Sequence, residues 1–181
     1  MSPKPENVLA FWFDEIEPRQ WWQVDPAFDA LIRSRFGALL DQAIAGELDA
    51  WRGFAHGRLA EIIVLDQFSR NIHRGTPQAF AQDAQALTLS QVAVHAGALE
   101  HLHETERGFL LMPFMHSESR GIHAQAGVLF KAHASANTFD FELKHKAIID
   151  RFGRYPHRNA ILGRASTNEE IEFLKQPGSG F

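Results

Sequence analysis

Three polar clusters in the sequence combine residue types that could exchange protons or hold an anion. They span residues 66–74, 113–118 and 145–159. The first contains Asp, Gln, Arg and Asn, the second a His and a Glu two residues apart, and the third a dense run of Arg and His. Histidines and carboxylates are common general acids and bases, and Arg presents a planar fork of donors that suits carboxylates and phosphates. The sequence therefore indicates an acid–base site or an anion site.

The acid–base hypothesis assigns proton transfer to four residues of the second and third clusters: His116, Glu118, His145 and His157. Arg70, Arg154 or Arg158 would then stabilise negative charge. The chain contains no nucleophile elbow, P-loop or dinucleotide fingerprint that would name the reaction. A small hydrolase-like enzyme without a cofactor is therefore one expectation.

The binding hypothesis places a small anionic molecule or a peptide carboxylate in an Arg/His-rich pocket. Its expected ligand-binding residues come from the first and third clusters: Asp66, Arg70, Asn71, Arg74, Arg154, Arg158 and Asn159. The reason is local charge, because the arginines outnumber the nearby acids Asp66, Glu118 and Asp150, while the whole chain carries a net charge of -4. These arginines are Arg70, Arg74, Arg151, Arg154, Arg158 and Arg164. Three explanations of such an excess stay open. The arginines are spread over the surface and screened by water, a bound anion neutralises them, or acidic side chains pair with them in a structural network.

A metal site is a third hypothesis, and it must use His, Asp or Glu because the chain has no Cys. Its candidates are His116, Glu118, His123 and Asp66, but their spacing matches no established ligand pattern, so no metal is expected. The remaining histidines do not cluster in this way and are interpreted as surface or incidental residues: His56, His73, His95, His101, His103 and His133.

The element that must position the first cluster is the segment LAEIIVLDQFSRNIHRG, residues 59–75. Its apolar residues cover most of the circumference of a helix, as in a helix surrounded by other helices. Asp66 and Arg70 stand one turn apart on it, where water is scarce. A buried carboxylate needs partners, so we predict that Asp66 pairs with Arg70 or with an Arg of residues 151–164. We also predict that the four acid–base candidates approach this helix in space.

Helical periodicity and end signals predict further helices along the chain, at residues 5–15, 25–46, 76–97, 104–112, 118–133, 139–152 and 167–174. Thr76 and Pro77 are expected to cap the third of these, and Pro113 to end the fourth. No alternating strand pattern persists, and no internal repeat is evident. The expected fold is all-α, with about eight helices in antiparallel pairs and a single helical domain over residues 1–181.

The composition narrows the classes of partner. The pI near 6.2 argues against a nucleic-acid partner, which would favour a basic chain. The sequence has no signal-peptide pattern and no apolar run of roughly 18 residues. We therefore expect a cytoplasmic location and no membrane partner. The oligomeric state stays open.

Several motifs occur in order over nearly the whole chain: FWFDE from Phe11, LDQFSRNIHRGTPQAF from Leu65, PFMHSE from Pro113, KH at Lys144, RFGRYPHRNAILGR from Arg151, and the terminal GSGF. Together they resemble the bacterial family called domain of unknown function 924. The resemblance implies a fold similar to the tetratricopeptide-like superhelix and leaves the activity unassigned. The chain departs from the family at His123, where the family usually has Gln.

Overall fold

The regular elements of the computed structural model, which describes residues 3–180, are all helical. In chain order the α-helices are α1 (Pro5–Ala10), α2 (Pro26–Ile44), α3 (Ala55–Ile63), α4 (Ser69–Ile72), α5 (Asp83–His95), α6 (Glu104–Met115), α7 (Arg120–His133), α8 (Ala136–Phe152) and α9 (Asn168–Leu174). The all-α class is confirmed. Met1, Ser2 and Phe181 lie outside the described residues, and with them the last residue of the GSGF motif.

Short helical turns complete the chain between these elements. Turns of 3₁₀ helix occur at Pro18–Trp21, Asp49–Gly53, Pro77–Phe80, Ala98–His101 and Pro156–Arg158. Two π-helical turns continue α-helices: Phe11–Glu15 follows α1, and Val64–Phe68 joins α3 to α4. Because of the second turn, α3 and α4 form one continuous helix, which we call the central helix.

The central helix is buried, as its sequence predicts. Every residue from Leu59 to Ser69 is shielded from solvent. Helices α1, α2, α5 and α6 pack around it. The Phe68 ring alone meets three other rings, with centroid distances of 4.8 Å to Phe36, 5.6 Å to Trp12 and 6.1 Å to Phe11. Such contacts fix the rotation of this helix and therefore the direction in which its polar residues point.

Side-chain caps begin several helices where the sequence places them. Asp25 accepts from the backbone N–H groups of Ala27 and Phe28 at the start of α2. Thr167 and Glu170 form the expected capping box of α9. These local bonds satisfy N–H groups that the first helical turn leaves without partners.

Two predicted helix ends are wrong. Thr76 does not cap α5, because its hydroxyl donates back to His73 O at 2.7 Å, and the helix begins only at Asp83. Pro113 does not end α6, which continues to Met115. A proline in the last turn removes one backbone donor, but His116 N still donates to Met112 O at 3.0 Å and the residues around Pro113 are buried.

No helix within residues 3–180 combines the length and the apolar character needed to cross a membrane.

Candidate acid–base site

Asp66 lies in the π-helical turn of the central helix. A π-helical turn inserts one extra residue into a helix and is frequent at functional sites. All five residues of this turn are buried, and Asp66 has 0% exposed surface. A carboxylate in such a place is tolerated only where other groups answer its charge, so the partners of Asp66 define the site.

Side chains donate to both oxygens of Asp66. Oδ1 accepts from Arg70 NH1 at 3.1 Å and lies 2.7 Å from His116 Nδ1. Oδ2 accepts from Gln67 Nε2 at 2.6 Å. The prediction that Asp66 is buried and pairs with an Arg is confirmed, and the partner is Arg70.

His116 follows the last residue of α6 and forms a histidine–carboxylate pair with Asp66. Burial alone would raise the pKa of Asp66, but the charge of Arg70 and the bond to His116 hold that pKa below its ordinary value. Burial and Arg70 lower the pKa of His116 more than Asp66 raises it. Near pH 7 the carboxyl is therefore ionised and the imidazole neutral.

The protonation states fix which nitrogen of His116 carries the hydrogen. An ionised carboxylate only accepts, so Nδ1–H donates to Asp66 and the lone pair is on Nε2. The bond to Asp66 is the one hydrogen bond that this ring makes to the described residues, and 15% of the side chain stays exposed. A carboxylate that orients an imidazole in this tautomer is the arrangement of a general base.

Two arginines and Asp83 surround this pair. Arg70 NH2 donates to Asp83 Oδ2 at 3.0 Å, and Arg158 NH1 donates to the same oxygen at 3.1 Å. The Arg158 guanidinium lies 4.6 Å from the Phe80 ring centroid and 4.7 Å from that of Tyr155. The sequence does not single out Asp83, because its pattern predicts one long helix over residues 76–97 in which Asp83 has no special position. Its position as the first residue of α5 brings it to the site.

Glu118 serves the site indirectly. Its Oε1 accepts from Tyr155 N at 2.7 Å, and Arg164 NH1 donates to Oε2 at 2.7 Å. Burial would raise the pKa of Glu118, but the bonds from Arg164 and the Tyr155 backbone lower it below its ordinary value. An ionised carboxylate with both oxygens bonded anchors the segment after α8 to the end of α6.

His145 and His157 both pack near the Tyr155 ring, at centroid distances of 5.8 Å and 5.6 Å. Burial lowers the pKa of His145 to about 3. Burial together with Arg158 lowers the pKa of His157 to about 4. Both rings are therefore neutral near pH 7. Both histidine rings contact Tyr155, a residue that the sequence does not single out.

Members of the three polar clusters meet in the structure, and the prediction that the acid–base candidates approach the central helix is confirmed for His116. His116 contacts Asp66 directly, and Arg158 reaches both Asp83 and the His116 carbonyl. The remaining ligand-binding candidates occupy neighbouring networks. Asn71 and Arg74 both donate to Asp29, whereas Arg154 and Asn159 donate to Glu170.

The excess of positive charge inferred from the sequence is wrong, because a carboxylate faces each arginine. The pairs are Arg70 with Asp66 and Asp83, Arg74 with Asp29, Arg151 with Glu169, Arg154 with Glu170, Arg158 with Asp83, and Arg164 with Glu118. Most of these acids lie on other elements, so sequence proximity does not reveal them. The strong bond to Arg154 lowers the pKa of Glu170 to about 2.

The four candidates for a metal site do not form one group, because His123 lies apart from the contact between His116 and Asp66. His123 Nδ1 lies 2.8 Å from Glu142 Oε1, and its Nε2 lies 2.8 Å from the Ser117 carbonyl. Among residues 3–180, no group of three or more His, Asp or Glu side chains is arranged to hold a metal ion.

Comparison with known proteins gives two matches that cover most of the chain. A sequence model of the family described as "Bacterial protein of unknown function (DUF924)" matches residues 8–178. The solved structure of the protein of unknown function ATU0120 from Agrobacterium tumefaciens is similar, with 34% identity and a TM-score of 0.90. The alignment covers 94% of this chain and 96% of that chain. A search of curated proteins gave no match.

Proposed function

The chain belongs to the DUF924 family of bacterial proteins, and we propose from the geometry of its own side chains that it is a small acid–base enzyme with His116 as general base. The observation that supports this proposal is the 2.7 Å contact between His116 Nδ1 and the buried carboxylate of Asp66. It leaves the lone pair of a neutral imidazole on Nε2, in a side chain that is 15% exposed.

Each neighbour of His116 has a role in this proposal. Asp66 holds the tautomer and stabilises the imidazolium that forms when Nε2 takes a proton. Arg70, whose side chain is 18% exposed, stabilises negative charge that develops on the substrate. Hydrolysis of an activated ester is the simplest reaction of this kind. In it, Nε2 takes a proton from the water molecule that attacks the ester carbonyl, and the alcohol of the ester leaves.

Turnover of p-nitrophenyl acetate and p-nitrophenyl phosphate tests the proposal. His116→Asn should lower kcat/KM by about 100-fold or more, the usual contribution of a general base. His56→Asn is the matched control, because His56 also faces a carboxylate, that of Glu106 at 3.6 Å, but is 45% exposed. Equal rates for the parent protein and His116→Asn with both esters would contradict the proposal.

Binding of a small anion or a peptide carboxylate, without catalysis, is the second candidate function. The observation that favours it is geometric: the guanidinium groups of Arg70 and Arg158 both donate to Asp83 Oδ2, at 3.0 Å and 3.1 Å, so two cations converge on one carboxylate at the site. The pairing of these arginines weakens the binding candidate, because a bound anion would have to compete with Asp83 for Arg158.

Thermal shifts in phosphate separate the two candidates. Under the binding proposal, phosphate raises the melting temperature above that in chloride of equal ionic strength, and Arg158→Ala removes the difference. Arg151→Ala should keep it, because the Arg151 side chain is 48% exposed and pairs with the exposed Glu169. A parent protein that melts at the same temperature in both salts contradicts anion binding and leaves the acid–base proposal standing.

A further inference from the structure

Side chains from other segments cap the end of α6, on which His116 stands. Three consecutive carbonyls there each accept from one of them. The bonds are Tyr155 Oη to Met115 O at 2.5 Å, Arg158 NH2 to His116 O at 3.1 Å, and His123 Nε2 to Ser117 O at 2.8 Å. The last carbonyls of a helix have no partner within it, so these donors complete α6.

Helices α2, α5 and α8 end differently. Gly46, Gly97 and Gly153 follow α2, α5 and α8 with φ angles of 78°, 74° and 72°. A left-handed glycine ends a helix with backbone bonds. One side chain adds to them at α2, where Gln85 Nε2 donates to Ala43 O, and one at α8, where Arg120 NH2 donates to Asp150 O. His116 instead keeps φ at −81° and ψ at −7°, and the chain after α6 depends on buried side chains.

Tyr155 and His123 act as one unit. The Tyr155 hydroxyl donates to Met115 O, and its oxygen lies 3.2 Å from His123 Nε2. The hydroxyl oxygen therefore accepts a second, longer hydrogen bond from His123 Nε2–H. Ser117 O only accepts, so Nε2 carries a hydrogen. Tyr155, His123 and Glu142 each have 0% exposed surface. Burying three polar groups costs free energy that a glycine cap would avoid, which points to a requirement beyond ending the helix.

Glu142 completes the unit from α8. Its Oε1 lies 2.8 Å from His123 Nδ1, and the pair holds one proton between these two atoms. Burial raises the pKa of Glu142 more than His123 lowers it, which favours retention of that proton. Glu142 therefore fixes the orientation in which His123 donates to Ser117 O.

We propose that Tyr155 and His123, oriented by Glu142, are positioning residues that hold His116 in register with Asp66. The inference rests on the proposed function of His116 as a general base. The two residues clamp the carbonyls on either side of His116, so its backbone cannot shift while Asp66 stays fixed in the central helix. A displacement of 1 Å at a reacting group can cost about 100-fold in rate.

Tyr155 permits a sharp test because it is the only tyrosine among the 181 residues. Tyr155→Phe deletes one hydroxyl, and biosynthetic 3-fluorotyrosine changes the donor strength of the same hydroxyl without deleting it. The readout is the pair of imidazole ¹⁵N resonances of His116, which report the tautomer without requiring a substrate. We expect Tyr155→Phe to move the two resonances toward each other, as tautomers exchange, and the fluorinated protein to shift them measurably.

His123 supplies the second pair of variants. His123→Leu removes the donor to Ser117 O, whereas the amide of His123→Gln can still donate to it. We expect His123→Leu to mix the tautomers and His123→Gln to restore the parent spectrum. Glu61→Gln is the control for general destabilisation, because Glu61 is a buried carboxylate that pairs with Arg52 and makes no bond to the end of α6.

The outcomes separate this inference from the function on which it rests. Ester turnover, where present, should fall about 10- to 100-fold in kcat for Tyr155→Phe with KM unchanged. His116 resonances that are identical in the parent, the fluorotyrosine protein and His123→Leu overturn the positioning role. Resonances that change in these proteins but not in Glu61→Gln support it, even where His116→Asn leaves ester turnover unaltered and the catalytic proposal fails.

Discussion

Replacement of Asp66 by Asn tests how much the buried ion pair contributes to stability. The change keeps the volume of the side chain and removes its charge, so the free energy of unfolding reports the electrostatic part. Removing one partner of a buried pair costs about 3–5 kcal/mol. Arg70 keeps Asp83 as a second partner, and an Asn oxygen can still accept from His116 Nδ1–H, so we expect a loss near the lower limit, about 3 kcal/mol.

Urea unfolding followed by circular dichroism measures this loss. With a slope of about 2 kcal/mol per molar urea, the midpoint should fall by about 1.5 M. The melting temperature should fall by about 6–12 °C for a chain of this length. Asp150→Asn is the matched control, because Asp150 is 47% exposed and pairs with Lys146 within α8. That variant should change stability by less than about 0.5 kcal/mol.

If Asp66→Asn lowers the free energy of unfolding by no more than Asp150→Asn does, then the Asp66 carboxylate is not buried against Arg70 and His116 in solution. The acid–base proposal would lose its carboxylate with it.

Two further predictions concern stability. Burial depresses the pKa of His145 to about 3 and that of His157 to about 4, so near pH 5.5 the unfolded chain binds protons that the folded chain does not. The free energy of unfolding should therefore fall as the pH is lowered from 7.5 to 5.5, by about 1.4 kcal/mol for each histidine. Urea midpoints that stay constant or rise at the lower pH would refute this. A Cβ at Gly57 would overlap the Trp51 carbonyl, so Gly57→Ala should destabilise by about 2 kcal/mol or more, whereas Gly127→Ala, with no atom within 4 Å, should not. Equal melting temperatures of these two variants would show that the backbone at Trp51 yields at little cost.

The sequence predicts the central helix and its polar residues well, for a local reason. An apolar run that covers the whole circumference of a helix requires burial, and a spacing of four residues places Arg70 one turn from Asp66. The caps of α2 and α9 depend on neighbours within three residues and are equally predictable. Helix pairing of the tetratricopeptide kind stays a prediction.

Apart from the Asp66–Arg70 pair, the partners of the charged residues could not be predicted, because they depend on tertiary contacts. Asp83 and Arg158 are 75 residues apart in sequence and meet at 3.1 Å only because α5 begins at Asp83. The π-helical turn around Asp66 likewise has no signal in the hydrophobic pattern, since every residue in it is buried. The Tyr155 side chain has one polar atom and stands at no special spacing from the other site residues. Its role follows only from the hydrogen bond that its hydroxyl donates to Met115 O.

The central claim is that His116 is a neutral imidazole with its hydrogen on Nδ1, held there by Asp66. Long-range ¹H–¹⁵N spectra of the parent protein, assigned with His116→Asn, test it most directly. We expect an Nδ1 shift typical of a protonated nitrogen, an Nε2 shift typical of a bare one, and a ring that is mainly neutral at pH 7. A hydrogen on Nε2 with a bare Nδ1, or an imidazolium at pH 7, would contradict it.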